Sequence, residues 1–126
     1  MAIAEELPVY KASYDLVLAI FNLAKNFKKE FKYTIGESVK NETIAVITNI
    51  YRANCTTEKA EYLRTARENI EVIRLYVRLL HDLHQISVQQ LVAVNGRIEN
   101  VSKQLTGWQK FQEKQKQGSI EKREQQ

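Results

Sequence analysis

Residues 62–83 read Tyr-Leu-Arg-Thr-Ala-Arg-Glu-Asn-Ile-Glu-Val-Ile-Arg-Leu-Tyr-Val-Arg-Leu-Leu-His-Asp-Leu, and this stretch decides the fold. Leu63, Ala66, Ile70, Ile73, Val77 and Leu80 alternate spacings of three and four without a slip. That repeat marks a helix whose apolar stripe lies along a neighbour at a shallow crossing angle. The stretch also carries more apolar surface than one stripe requires. Val72, Leu75, Tyr76, Leu79 and Leu83 fall on the side away from the seam, where a single bundle cannot bury them. Apolar residues wrapping most of a helix signal a second contact surface, so these five are candidate contacts for self-association or a protein partner. Arg64, Arg67, Arg74 and Arg78 occupy one flank. Two readings stand for them. They pair locally, Arg64 with Glu68, Arg78 with Asp82, and Arg67 and Arg74 with Glu71, or they form a guanidinium row able to grip phosphates.

Outward from this helix, three further periodic segments appear. Downstream, Ser87-Val-Gln-Gln90 reads as a capping box, and Leu91, Val94, Ile98, Val101, Leu105 and Trp108 continue the helical repeat. Upstream, Thr34-Ile-Gly-Glu37 reads as another capping box, followed by Ile35, Val39, Thr43, Val46 and Ile50 on one face. That second helix stops near Asn54 and Cys55, and Thr56 or Thr57 is placed to cap the third, which runs to about His84. The first helix begins after Pro8, with Tyr10, Tyr14, Val17, Phe21 and Ala24 as its buried face, and ends between Phe27 and Lys32. Helices three and four, at roughly 25 residues, should be about 38 Å long. Short loops force consecutive helices to reverse direction. The expected fold is all-α, an antiparallel up-down-up-down four-helix bundle over residues 1–115, assembling into a homo-oligomer. From Gln112 the chain is almost wholly Gln, Glu, Lys and Arg around Gly118. The helix is expected to fray there, leaving residues 116–126 as a polar, mobile tail.

Composition agrees with helices alone, since one Pro and four Gly in 126 residues leave little for strand-joining turns. The length suits one domain with one core. Net charge is +4, and the basic excess lies in the first and last helices, because residues 35–86 are balanced. Such a charge favours an anionic partner. Cys55 is the single cysteine, so no intrachain disulfide forms, and a small packed residue near a helix end is expected. The segment Met1 to Tyr10 lacks the form of a signal peptide, and the longest apolar run, Leu16 to Phe21, is too short for a bilayer. A cytoplasmic protein without membrane contact is expected.

Catalytic chemistry finds no foothold. His81 and His84 lie three apart, a separation open to one metal, but His84 continues the apolar seam and the further ligands are missing. No phosphate loop, nucleophile elbow or metalloprotease motif occurs, so no catalytic residue, metal or cofactor is expected. Two more basic patches stand beside the arginine flank. Lys25, Lys28, Lys29 and Lys32 interleave with Phe27, Phe31 and Tyr33, a pattern that suits phosphate contact with base stacking, though lysines also stabilise a helix C-terminus and the aromatics also fill cores. Lys103, Lys110 and Lys114 align opposite the seam of helix four, as a ligand surface or a solubilising one.

With the helices placed, the chain resembles a bacterial four-helix-bundle family. That family includes the accessory variability proteins of diversity-generating retroelements and proteins encoded in intervening sequences of 23S ribosomal RNA genes. The resemblance runs through Pro8-Val-Tyr-Lys, Ser13-Tyr-Asp-Leu, Lys32-Tyr-Thr-Ile-Gly-Glu and Ile50-Tyr-Arg-Ala-Asn. It continues in Tyr62-Leu-Arg-Thr-Ala-Arg-Glu, Arg74-Leu-Tyr-Val-Arg-Leu-Leu, Asp82-Leu-His-Gln-Ile-Ser and Lys103-Gln-Leu-Thr-Gly-Trp. The Arg74 and Arg78 pair and the Gly107-Trp108 ending are closer to the retroelement branch. The resemblance implies a pentameric barrel with a basic surface. It further implies association with the element's reverse transcriptase and binding of template RNA or cDNA, in support of mutagenic copying. A ribosome-associated RNA-binding protein and a purely protein-directed adaptor are the alternatives.

Overall fold

A computed structural model describes residues 3–125. Residues 1, 2 and 126, at the outer limits of the expected 1–115 bundle and 116–126 tail, lie outside the described residues. The described residues form helices and turns without a strand: α1 (Pro8–Ala24), a single turn α2 (Lys29–Lys32), α3 (Ile35–Asn54), α4 (Ala60–Asp82) and α5 (Val88–Glu124). Four long helices alternate in direction. α4 packs against α3 and α5, and α1 packs against the same two, which leaves α1 and α4 on one diagonal. The expected up-down-up-down bundle is therefore present.

The core follows the seam that residues 62–83 announce. Leu63, Ala66, Ile70, Ile73, Val77 and Leu80 are all buried, facing Val39, Val46 and Ile50 of α3 and Val94, Ile98, Val101 and Leu105 of α5. Leu91 and Trp108 pack against the edge of this cluster. The Ser87 box forms as expected: Gln90 donates its backbone N–H to Ser87 Oγ at 3.1 Å, and Ser87 N–H reaches Gln90 Oε1 at 2.9 Å. Between α3 and α4 the core gives way to a polar ladder. Asn49 donates to Asn69 at 3.2 Å, and Asn69 donates to Glu42 at 2.8 Å. Such directional bonds hold the two helices in one register.

Several local expectations are corrected. In α1 the buried face is Val9, Ala12, Ser13, Leu16, Ile20 and Ala24, whereas Tyr14 is exposed and Tyr10, Val17 and Phe21 are half-buried. Two interleaved apolar stripes share this helix, and the one of small and aliphatic side chains is turned to the core. Thr34 makes no N-cap bond. Its hydroxyl donates to Glu30 O at 2.9 Å, serving the carbonyls that end α2, and Glu37 pairs with Lys40 at 2.7 Å. Thr56 and Thr57 do not cap α4 either, whose N-cap residue is Lys59. Thr56 Oγ1 accepts from Glu58 N–H at 3.1 Å in a local turn. Lys59 sends its ammonium back to Ala53 O and Thr56 O at 2.7 and 2.6 Å, where a cation suits the negative end of α3.

Cys55 lies at a helix end but is exposed rather than packed. His84 leaves the seam altogether: it is exposed and adopts φ 62°. Its N–H reaches His81 O at 2.9 Å, and Gln85 N–H reaches Leu80 O at 2.8 Å, the paired bonds that close a helix through a left-handed residue. Finally, α5 does not fray at Gln112. It continues to Glu124, with residues 113–124 exposed apart from Gly118. Gln, Glu and Lys are good helix formers, and a lone Gly costs only about 1 kcal/mol.

Candidate functional site

The basic residues separate into those held by carboxylates and those left free. Arg64 is bound by Glu61 and by Glu68, the latter at 3.0 Å. The hydrogen bond and charge of Glu61, followed by the charge of Glu68, raise its pKa, so it stays protonated. Arg67 crosses to Gln109 of α5. Arg74 donates to Glu71 at 3.2 Å and also pairs with Glu99 of α5. Three members of the expected arginine row thus brace α4 internally or against α5. The shallow groove bordered by Arg64 and Arg67, with Glu68, Glu71, Ser102 and Gln109, carries equal charge of both signs, which makes it a weak phosphate seat.

Arg78 differs. It is exposed, and among the described residues its side chain has no ion pair or hydrogen bond, Asp82 included. The same holds for the side chains of Lys103, Lys110 and Lys114, spaced seven and four residues apart on the solvent face of α5. Lys25, Lys28, Lys29 and the half-buried Lys32, clustered around the α1 to α3 turn, are likewise without side-chain partners among the described residues. Within that turn the aromatics divide: Phe27 is in the core, Phe31 is half-buried, and Tyr33 stands 64% exposed. Only Tyr33 is therefore free to stack on a base. Lys28 N–H donates to Gln85 Oε1 at 2.8 Å, so the lysine turn is fastened to the α4 to α5 turn rather than swinging loose.

Sequence reasoning passed over Arg97. It is exposed on α5 without an ion-pair partner among the described residues and borders a groove with Asn22, Asn26 and Gln90. Its position on the wheel of helix four, between the seam and the solvent lysines, was the available signal.

On α4, Leu75 is 55% exposed, and Leu79 and Leu83 are also exposed. Val72 is half-buried, and Tyr76 packs partly against the core. The expected apolar arc thus narrows to a leucine ridge at spacing four. His81 and His84 do not converge on a metal: His81 Nδ1 lies 3.3 Å from Ile86 O, and His84 sits in the turn. Among the described residues no group of His, Cys, Asp and Glu is placed to hold a metal ion, and no helix is long and apolar enough to cross a membrane.

A comparison with curated proteins finds no significant match. A family profile described as bAvd-like matches residues 7–112, a span that covers all four long helices through the packed part of α5 and takes in the leucine ridge and the free cations other than Lys114. An all-helical chain of this architecture, matched over most of its length, belongs to the bAvd-like family.

Proposed function

We propose that this chain is a non-catalytic accessory protein of a diversity-generating retroelement. It self-associates, docks on the element's reverse transcriptase and holds template RNA or cDNA while the polymerase carries out error-prone copying. The bAvd-like match favours this branch over the ribosomal one. Five copies in a barrel is the assembly that the family resemblance implies, with the cytoplasm as the place of action.

The observation that carries the nucleic-acid part is the set of cations without carboxylate partners among the described residues: Arg78 on α4, Lys103, Lys110 and Lys114 on α5, and Lys25, Lys28, Lys29 and Lys32 at the turn. An unpaired surface cation gives up only counterions and water when it meets a phosphate, whereas Arg64 or Arg74 must first leave its glutamates. Arg78 and the lysines therefore lead, and Arg64, Arg67 and Arg74 serve as braces.

The test is RNA binding measured over a range of salt. Replacing Arg78 and Lys103 with Ala should weaken binding and reduce the slope of log K against log salt by roughly one for each phosphate that is no longer neutralised. Arg74→Ala should change that slope far less. Equal slopes for wild type and the Arg78 and Lys103 variant would overturn the assignment. Binding to the polymerase with no RNA affinity at any salt would leave the protein-directed adaptor as the better account.

A further inference from the structure

The groove beside Arg97 is built from the same spacing on two helices. Ala19, Asn22, Leu23 and Asn26 of α1 face Gln90, Ala93, Val94 and Arg97 of α5. Each set steps by three, one and three residues, so each occupies a single helix face. The half-buried Leu23 and the buried Val94 give it an apolar floor. Ala19 and Ala93 keep it open, because a larger side chain at either would close the gap between the helices. The space amounts to about 300 Å³, the lower end of the range for small-ligand sites. Its rim is polar, and no carboxylate is among the residues that line it. Arg97 is the one charge, and the side chains of Asn22 and Asn26 have no hydrogen-bond partner among the described residues. Gln90 is half engaged: its Oε1 accepts from Ser87 N–H at 2.9 Å, which holds the carboxamide in place and leaves Nε2 without a partner among the described residues.

We propose that this groove takes one unpaired base of a single-stranded nucleic acid whose phosphates lie on the neighbouring lysine turn. This rests on the reading that the chain holds nucleic acid, and adds to it a dependence on bases that surface cations alone do not provide. A phosphate offers acceptors only, so it would meet Arg97 but leave the amide oxygens of Asn22 and Asn26 unmatched. A base edge offers donors and acceptors side by side, and guanidinium and carboxamide groups pair with it two bonds at a time. The apolar floor suits the flat ring. A base stacked and paired within a duplex cannot enter a gap between two helices, whereas an unstacked base of a single strand can be splayed into one.

Placement favours the same occupant. α1 and α5 run in opposite directions, so Asn26 lies at the Gln90 end of the groove. Lys25 adjoins Asn26, and Lys28 follows it by two residues, at most about 7 Å of backbone. The bond from Lys28 N–H to Gln85 Oε1, at 2.8 Å, ties this turn to the start of α5. Gln85 is itself held, since its Nε2 donates to Leu83 O at 2.9 Å. Lys25, Lys28 and Lys29, unpaired among the described residues, therefore stand at one mouth of the groove in a fixed position. Tyr33, 64% exposed, offers a ring to a neighbouring base. The groove on α4 differs, because Glu68 and Glu71 line it and would repel the phosphates that accompany a base.

The test compares, at one salt concentration, binding of a short mixed-sequence single-stranded oligonucleotide with binding of a counterpart of equal length and charge whose bases are replaced by abasic spacers. Two variants keep the net charge of the protein. Asn22→Ala with Arg97→Lys removes one carboxamide and the guanidinium fork, and Ala93→Leu fills the groove while leaving its polar groups in place. All three positions are exposed on helices, so circular dichroism should show wild-type helicity. The wild type is expected to bind the base-bearing strand more tightly than the abasic one. Each variant should lose roughly five- to a hundredfold in Kd for the base-bearing strand, the worth of one bidentate pair, with the abasic strand bound as before. Equal binding of the two strands by the wild type overturns the base site. Variants that retain the wild-type ratio between strands also overturn it, and leave stacking on Tyr33 as the source of the preference. Loss of both strands alike would make the groove a phosphate seat, which overturns it too. A wild type that binds neither strand at any salt removes the nucleic-acid reading itself and this site with it, a separate failure visible before any variant is made.

Discussion

His84 holds a backbone conformation that residues with a Cβ enter at a cost. At φ 62° it closes α4 in the position where glycine is common, and a left-handed residue with a side chain costs roughly 1–2 kcal/mol. Its imidazole is exposed and makes no hydrogen bond among the described residues. His84→Gly should therefore raise stability by about 0.5–1 kcal/mol once the greater freedom of glycine in the unfolded chain is subtracted. Chemical denaturation would show it as a higher midpoint with an unchanged slope. At the same scale, Arg78 and Arg74, one helical turn apart, should behave differently in RNA binding, because one is free and the other is held by Glu71 and Glu99. Neither distinction is visible in sequence, where both arginines have an acid three or four residues away.

Among the elements, glycines give a paired prediction. A Cβ on Gly36 would lie 3.0 Å from Phe31 O and 3.3 Å from Phe27 Cδ2, since α3 starts tight against the turn before it. Gly36→Ala should destabilise by about 1–3 kcal/mol. Gly96 and Gly107 have nothing within 4 Å of the same position, and Ala at either should stabilise α5 by up to about 1 kcal/mol. Thermal melts of the three variants would test the opposite signs. The four long helices were legible because a regular three and four spacing survives any choice of neighbour. The face of α1 was not, because Leu16 with Ile20 and Tyr14 with Phe21 both satisfy the helical period, and only packing chooses between them. Caps were legible where one side chain had one partner, as at Ser87 and Gln90. They failed at Thr34 and Thr56, where nearby carbonyls or a turn N–H competed for the hydroxyl. The α4 arc was legible as excess apolar surface, whereas the exposure of Tyr14 was hidden by assigning it to the buried face of α1.

For the molecule as a whole, α5 sets the outline, with 37 residues against 23 in α4. The surplus adds about 20 Å of helix. Buried residues in α5 end at Leu105, so the far end depends on backbone bonds and contacts such as Gln117 with Glu121 at 3.3 Å. Hydrogen exchange should find amides of residues 113–124 exchanging well ahead of those between Val94 and Leu105. Equal protection of the two stretches would mean that another surface covers the end. Beginning a helix is the unfavourable step, and a short peptide rarely completes it alone in water. The packed turns of α5 hand the following residues a ready-made nucleus. Cut free as a peptide, residues 112–124 should lose most of their order, while the same residues left attached inherit it turn by turn from the folded part before them.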